Sequence, residues 1–485
     1  MLGTSQGGLW MDEHNWPAYD EYVRHMMGVY QVPGCSIAVA VDGQPVLARG
    51  YGWRDRENGL PATDQTVYGI GSCTKSLTAM AILQLEEEGA LSIADPVVKY
   101  LPHFRVGKGD IRELITIHNF LTHTSGLPPL PSLYLCMARS MEGDPAAESI
   151  LERIQEQKDK PIDTYEELMR FIGDLDPELL GPAGTHFSYS NDAYALLGAI
   201  VSQVSGQSYT TYVTERILKP LGMTRTTFDL KEMSGLPDVT TLYASKDDGE
   251  KEEVYASPKW WDTHAHCPAG FLRSNVTDLL RYLEVYRCGG SVGGRRVVSE
   301  KTIARMTAPH ARFGLPLAYG YALSVDSNYH GVSVVGHSGG IKGVSAHILW
   351  VPEKGITGAA LANLSGVPSG QILLGAVNLL LGLPVDTRQV TFSDYACPPG
   401  RLGRYVGEYR SGEGSVYEVS AQDGRLEVET QGRKLTARPV GADMFTITQK
   451  ETETLLHFLW NAQGETYAIQ AGSRIIRRAK PGVRA

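Results

Sequence analysis

The sequence predicts a mixed α/β fold: an antiparallel sheet flanked by helices, a helical lobe, and a small all-β barrel domain at the end. Three observations carry that prediction. Apolar strand patterns occur near the N-terminus and return after Tyr319, and residues 110–310 between them read as helix and loop. Short strand-like runs separated by turns then fill the last stretch of the chain. Of the 485 residues, 42% are hydrophobic and 20% charged, which suits a packed chain and is too apolar for a disordered one.

The elements follow in order. CSIAVAV (35–41) and QPVLARGYG (44–52) flank Asp42-Gly43, a dipeptide that favours the positive φ angles of a two-residue hairpin turn. Pro45 cannot donate to a ladder, so it belongs at a strand start or on an open side. A short strand, VYGIG (67–71), runs into a helix beginning near Ser72. That helix is apolar on nearly every face through Leu85, which predicts burial, and Gly89 ends it. A charged, helix-prone insertion lies between Pro128 and Pro182. After Tyr319 come YGYALSV, GVSVVG, VSAHILWV and ITGAALAN, then a helix at 369–382. Strands at both ends of a helical middle imply one shared sheet with the middle packed on it. The expected division is 1–385 for this unit, 386–403 for a linker and 404–485 for the barrel. The barrel's runs are RYVGEYR, VYEVSA, RLEVET, KLTARPV, MFTITQ, TLLHFLWN and TYAIQA.

Charge and composition exclude several classes of function. With 45 Lys and Arg against 54 Asp and Glu, the net charge is −9, and no basic run offers a footprint for nucleic acid or anionic membrane. The first residues hold no basic segment followed by an apolar core, so no signal peptide is expected. The most apolar stretch, Ile372 to Val385, is interrupted by Gly375, Asn378 and Gly382 and is too short to span a bilayer. A soluble, cytoplasmic chain is the expectation, with a homo-oligomer left open. The 6 cysteines are scattered, which suggests neither a disulfide scaffold nor a zinc ribbon. No cofactor and no metal are expected.

Three pieces of sequence carry chemistry. Ser72-Cys73-Thr74-Lys75 is an S-x-x-K; the offset places both side chains on one helix face, with Ser72 at the N-terminal end where the dipole favours negative oxygen. A serine hydroxyl needs a base, and a lysine held neutral by burial can serve. The alternative is a capping serine beside a surface lysine. Tyr189-Ser190-Asn191 is the second piece: Tyr189 can relay a proton for the pair, or it is a core tyrosine in a loop where Asn191 or Asp192 caps the next helix. Lys75 and Tyr189 would titrate as a unit, so the sequence leaves open which holds the proton. Gly336-His337-Ser338-Gly339-Gly340 is the third. It satisfies the G-x-S-x-G nucleophile elbow, which requires a helix after Ser338, yet GIKGVSAHILWVP reads as strand. An edge strand presenting backbone N–H groups fits better.

In this order the pieces resemble the serine β-lactamase-like family: class C β-lactamases, D-aminopeptidases and related serine peptidases and esterases. The resemblance runs from about residue 20 to 382, with His337-Ser338-Gly339 where class C enzymes carry K-T-G. ITIHNFLTHTSGLPP (115–129), PAGFLRSNVTDLLRYL (268–283) and YGYALSV (319–325) also look like the family. It implies a β-lactamase/transpeptidase-like fold, Ser72 as acylated nucleophile, and Lys75 and Tyr189 as shared general base and acid. It implies an oxyanion hole from the backbone N–H of Ser72 and Gly340, with Asn191, His337, Ser338 and Gly339 contacting substrate. The terminal barrel resembles, more weakly, a lipocalin-like domain appended to some of these peptidases.

A lysine at position 337 would offer a permanent charge to a substrate carboxylate, whereas His337 is mostly neutral at pH 7. Amide or ester substrates are therefore expected over penicillins. The expected activity is that of a peptidase or amidase on small peptides, with D-residue selectivity one option. An esterase or acyl transferase is the near alternative, and a non-catalytic binder of small ligands the distant one. His264-Ala265-His266-Cys267 looks like a metal cluster but lacks partners at ligand spacing. His118 and His123 are expected as scaffold, and Cys73 as packing. Trp260-Trp261 and the 128–182 insertion either line the site or merely pack.

Overall fold

The computed structural model describes residues 15–107, 109–247, 252–314 and 316–479. Residues 1–14, where the sequence predicts no leader, lie outside that description. Helix α1 (Trp16–Tyr30) leads into β1 (Gly34–Val41), β2 (Gln44–Asp55) and the two-residue β3 (Leu60–Pro61). Asp42 and Gly43 have φ of 49° and 77°, the conformation the hairpin turn demands. Pairing of β1 with β2 slips between Val39 and Ala40, a bulge that skips Val46, and Pro45 stands opposite Ala40 near the start of β2. After α2 (Thr74–Glu87), the middle is helical as expected. It holds α3 (Ser132–Met141), α4 (Glu148–Gln157) and α5 (Tyr165–Leu175) in the insertion, then α6 (Asn191–Ser205) and α7 (Val276–Arg287).

Strands β4 (Ala311–Arg312), β5 (Ala318–Tyr319), β6 (Ser324–Tyr329), β7 (Val332–Ile341), β8 (Val344–Val351) and β9 (Ile356–Ala362) complete the sheet, and α8 (Ser369–Leu380) follows. The order across the nine strands is β4-β5-β6-β7-β8-β9-β1-β2-β3. The sequence-distant β9 and β1 pair antiparallel, Ala38 opposite Ala359, which joins the two ends of the unit. The period of two in β1 sends alternate residues to different cores. Ile37 and Val39 pack with α1 and α8, while Ala38 and Ala40 face the helical middle.

The last domain is a closed eight-stranded barrel: β10 (Gly407–Arg410), β11 (Val416–Gln422), β12 (Arg425–Thr430), β13 (Arg433–Gly441), β14 (Met444–Gln449), β15 (Thr452–Trp460), β16 (Thr466–Ala471) and β17 (Arg474–Arg478). Closure comes from β17 pairing with β10, Tyr409 opposite Arg478, around Tyr405, Tyr409, Phe445 and Phe458. The sequence runs identified seven of these strands; RIIRR, the eighth, abolishes the open edges. Among the described residues no helix is long and apolar enough to cross a membrane.

Candidate active site

Ser72 occupies a single 3-10 turn, Gly71–Cys73, between the short strand Tyr68–Gly69 and α2. Gly71 has φ +49°, and a methyl group there would sit 2.5 Å from the backbone nitrogen of Gly340. A methyl on Gly339 would lie 2.0 Å from the Ile70 carbonyl oxygen and 3.0 Å from the Ser72 nitrogen. Only glycines let β7 approach this turn so closely. This approach brings the backbone of Gly340 against the Ser72 turn, and both residues line one cavity. A pair of fixed backbone N–H dipoles can stabilise an oxyanion.

One helical turn on, Lys75 is fully buried. Its Nζ lies 3.0 Å from Ser72 Oγ, donates to Asn191 Oδ1 at 2.9 Å and donates to the carbonyl of Ala269. Burial pushes the amine well below the ordinary lysine range. The Arg474 guanidinium pushes the same way, and Glu413 opposes it. A neutral amine has two N–H donors and one lone pair. With the donors taken by Asn191 and Ala269, a neutral Lys75 would turn its lone pair to the Ser72 hydroxyl.

Tyr189 sits just before α6, which Ser190 caps through its own hydroxyl on the Ala193 amide. The cap is therefore Ser190 rather than Asn191 or Asp192, and Asn191 is free to reach Lys75. The Tyr189 hydroxyl is buried without a hydrogen-bond partner, and Lys75 Nζ lies 4.9 Å from its ring centroid. Burial raises its pKa, while the neighbouring Ser72 hydroxyl and the Arg474 charge pull it down. His123, the scaffold histidine, packs its ring 4.1 Å from that of Tyr189 and takes the Ser190 amide on Nδ1 at 3.0 Å.

A cavity of about 400 Å³ opens from Ser72. Leu133, Tyr134 and Met137 of α3 form one wall, so the insertion does cap the cleft, and Trp261, Phe271 and Ile341 add apolar surface. Lys342 also lines it, already paired with Asp144 at 2.9 Å. The barrel contributes Glu413, Ser415, Tyr417, Ala471, Arg474 and Ile476. Sequence reasoning missed Lys342, Glu413 and Arg474. Lys342 stands two residues after Gly340 and could have been found from that motif, whereas Glu413 and Arg474 reach the cavity only through the docking of the distant barrel.

The expected substrate contacts from His337, Ser338 and Gly339 need revision. His337 does not line the cavity. Strand alternation turns it inward, its Nδ1 against the Ser338 carbonyl and its Nε2 2.9 Å from the Tyr319 hydroxyl. Burial lowers its pKa to about 3, so it is neutral. Ser338 points the other way and bonds His347 Nδ1 at 2.9 Å. It lies in the middle of a strand, which removes the elbow reading. Gly339 acts by its lack of a side chain. The residues in His264-Ala265-His266-Cys267 form no cluster of metal-binding groups; His266 is buried 3.4 Å from Asp192. Cys73 is buried, and its thiol is raised to about 12.

The chain is similar to known proteins over most of its length. The Beta-lactamase family model matches residues 19–381. Protein flp of Staphylococcus aureus is 31% identical over 356 residues, covering 71% of this chain and 62% of flp, so the chain spans less than two thirds of that relative. The octameric penicillin-binding protein homologue from Pyrococcus abyssi superposes with a TM-score of 0.69 at 30% identity, covering 96% of this chain and 100% of the other. A D-stereospecific amidohydrolase from Streptomyces shares the fold, with a TM-score of 0.59 at 24% identity, covering 74% of this chain and 97% of the other.

Proposed function

Because the chain belongs to the Beta-lactamase family, a family of serine hydrolases, we propose that it hydrolyses small peptides or amides through an acyl-enzyme on Ser72. One observation carries this reading: the buried Lys75 amine stands 3.0 Å from Ser72 Oγ with its other partners fixed. Burial disfavours both the ammonium and the phenolate, so the resting pair is neutral lysine with neutral tyrosine, and Lys75 is the base. Ser72 Oγ attacks the substrate carbonyl carbon as its proton passes to Lys75. The N–H groups of Ser72 and Gly340 hold the oxyanion. Tyr189 gives its proton to the leaving nitrogen and is reprotonated from the Lys75 ammonium, so that both return to neutral as the C–N bond breaks. Water then attacks the ester, the proton path runs in reverse, and acid and free serine are released.

The cavity volume suits a small amide, which would meet an apolar wall of Leu133, Met137 and Trp261 beside the polar groups of Asn191, Lys342, Glu413 and Arg474. Lys342 and Arg474 are each paired with a carboxylate, Asp144 and Glu413, and His337 is neutral. A free substrate carboxylate therefore gains little here, which favours amides and esters over penicillins. The test is intact-mass analysis after a fluorophosphonate probe, beside turnover of L- and D-aminoacyl p-nitroanilides and p-nitrophenyl esters. Wild type should form one adduct and cleave anilides, and Ser72→Ala should do neither. Adduct-free wild type would indicate a binding protein, and cleavage of esters alone an esterase.

A further inference from the structure

The barrel does more than close the cavity. Its β16–β17 turn docks on the backbone beside Tyr189: the Tyr189 amide donates to the Ser473 carbonyl at 2.9 Å, and the Ile475 amide to Ser188 Oγ at 3.2 Å. Between those bonds Arg474 lays its guanidinium over the Tyr189 ring, 4.9 Å from the centroid. Lys75 Nζ is also 4.9 Å from that centroid, so two basic groups share one aromatic ring. Arg474 is fixed in turn by Glu413, which sits in the β10–β11 turn and makes an ion pair with it. That turn is anchored where the Gly412 amide donates to the Pro129 carbonyl at 3.1 Å. Glu413 Oε1 also accepts from Asn191 Nδ2 at 3.0 Å, and Asn191 Oδ1 accepts from Lys75. The contacts form a closed circuit: Lys75, Asn191, Glu413, Arg474, Tyr189 and back to Lys75.

We propose that the barrel belongs to the catalytic apparatus, Arg474 being a positioning residue that keeps Lys75 an unprotonated base and orients Tyr189, with Glu413 setting the strength of that effect. The inference rests on the Ser72–Lys75 reading above. A permanent guanidinium on the shared ring disfavours a second cation at Lys75. It also attracts the phenol toward its anionic form, which eases release of the Tyr189 proton. Glu413 moderates the charge, and its bond to Asn191 holds the amide that orients the lysine.

The other groups facing Lys75 do not take this role. His123 and His337 are kept neutral by burial, and the raised Cys73 thiol is uncharged. Asp192 sits on α6 and is engaged by Ser132 and His266. The direction of influence on Lys75 agrees with the geometry, Arg474 lowering and Glu413 raising its pKa.

The experiment measures the pH dependence of Ser72 acylation by p-nitrophenyl acetate in the full chain, for wild type, Arg474→Gln, Arg474→Lys and Glu413→Gln. The acidic limb reports deprotonation of Lys75. Loss of the Arg474 charge should move that limb up by about one pH unit, and Arg474→Lys should restore it to near the wild-type position. Glu413→Gln keeps hydrogen-bonding atoms but leaves Arg474 uncompensated, so the limb should move down. Opposite shifts cannot arise from a general loosening of the fold, and melting curves verify folding of each variant. Limbs that stay in place while rates fall uniformly would overturn the proposal and reduce Arg474 to a wall. So would a Glu413→Gln shift in the same direction as Arg474→Gln. Should Arg474→Gln not fold, the Glu413→Gln and Arg474→Lys limbs still decide. Acylation that survives Ser72→Ala would instead bring down the nucleophile assignment.

Discussion

Two neighbouring glycines on β7 should respond in opposite ways to the same substitution. In Gly339→Ala the new methyl would lie 2.0 Å from the Ile70 carbonyl oxygen, where ordinary contact begins near 3.4 Å, so strand and turn must part by about 1.4 Å. Both walls are backbone, and no flexible side chain can give way. An oxyanion donor works only within about 2.7–3.1 Å of the developing charge, so that displacement takes the Gly340 N–H out of range. The expected loss is roughly 10²–10³ in the acylation rate, or about 3 kcal/mol of barrier, the worth of one such donor. At Gly340 the methyl meets only the Val344 carbonyl oxygen at 3.8 Å, its φ is not in the left-handed region, and its N–H is retained. Gly340→Ala should therefore acylate within about threefold of wild type, a difference of well under 1.4 kcal/mol. Stopped-flow acylation by p-nitrophenyl acetate measures both, and thermal melting separates the local effect from the roughly 1–3 kcal/mol of overpacking that Gly339→Ala also brings. Wild-type acylation by Gly339→Ala, or an equal loss in both variants, would refute the assignment of Gly340 as a donor.

Lys75→Met replaces a buried amine by an apolar chain of similar length. Acylation should fall by roughly 10²–10⁴ while the urea unfolding midpoint holds or rises, since a desolvated polar group has been removed. Iodoacetamide at pH 8 should alkylate exposed Cys288 and leave Cys73 untouched, because Cys73 is buried with its thiol raised to about 12; peptide mass mapping reads the order. Stability should decline in acid through His337 and His347, lowered to about 3 and about 4 in the fold. A lowered folded pKa means the stabilisation is complete above the unfolded value near 6.5 and is lost as pH falls toward the folded value. Each ring costs about 1.4 kcal/mol per pH unit across that window. Urea midpoints between pH 7 and 4.5 should show it, and His347→Gln should flatten the slope; an unchanged slope would mean His347 is not held neutral.

Local sequence was a good guide wherever a signal lies within a few residues. The Asp42-Gly43 hairpin, the buried helix after Ser72 and the helical insertion follow from turn chemistry and apolar period, and each is present. The S-x-x-K offset placed Ser72 beside Lys75 because one helical turn does so in any fold. Legibility failed where a side chain's direction depends on its neighbours. His337 was expected to face substrate, and the alternation of β7 buries it. The last strand, RIIRR, is too short and basic to read as β, yet it closes the barrel because β10 and β16 stand on either side of it.

The chain's own order of residues determined the elements, the meeting of β1 with β9 as parts of one sheet, and the pairing of an alcohol with an amine at the start of a helix. Packing alone decides which way that amine's titration moves, well below the ordinary lysine range. Lysine is a cation in water, and nothing in four consecutive residues can change that. In the proposed mechanism it serves as a base because α2 is buried there and because the barrel adds the Arg474 charge, which Glu413 tempers. Desolvation and Coulomb forces depend on distance in space, which a linear sequence does not contain.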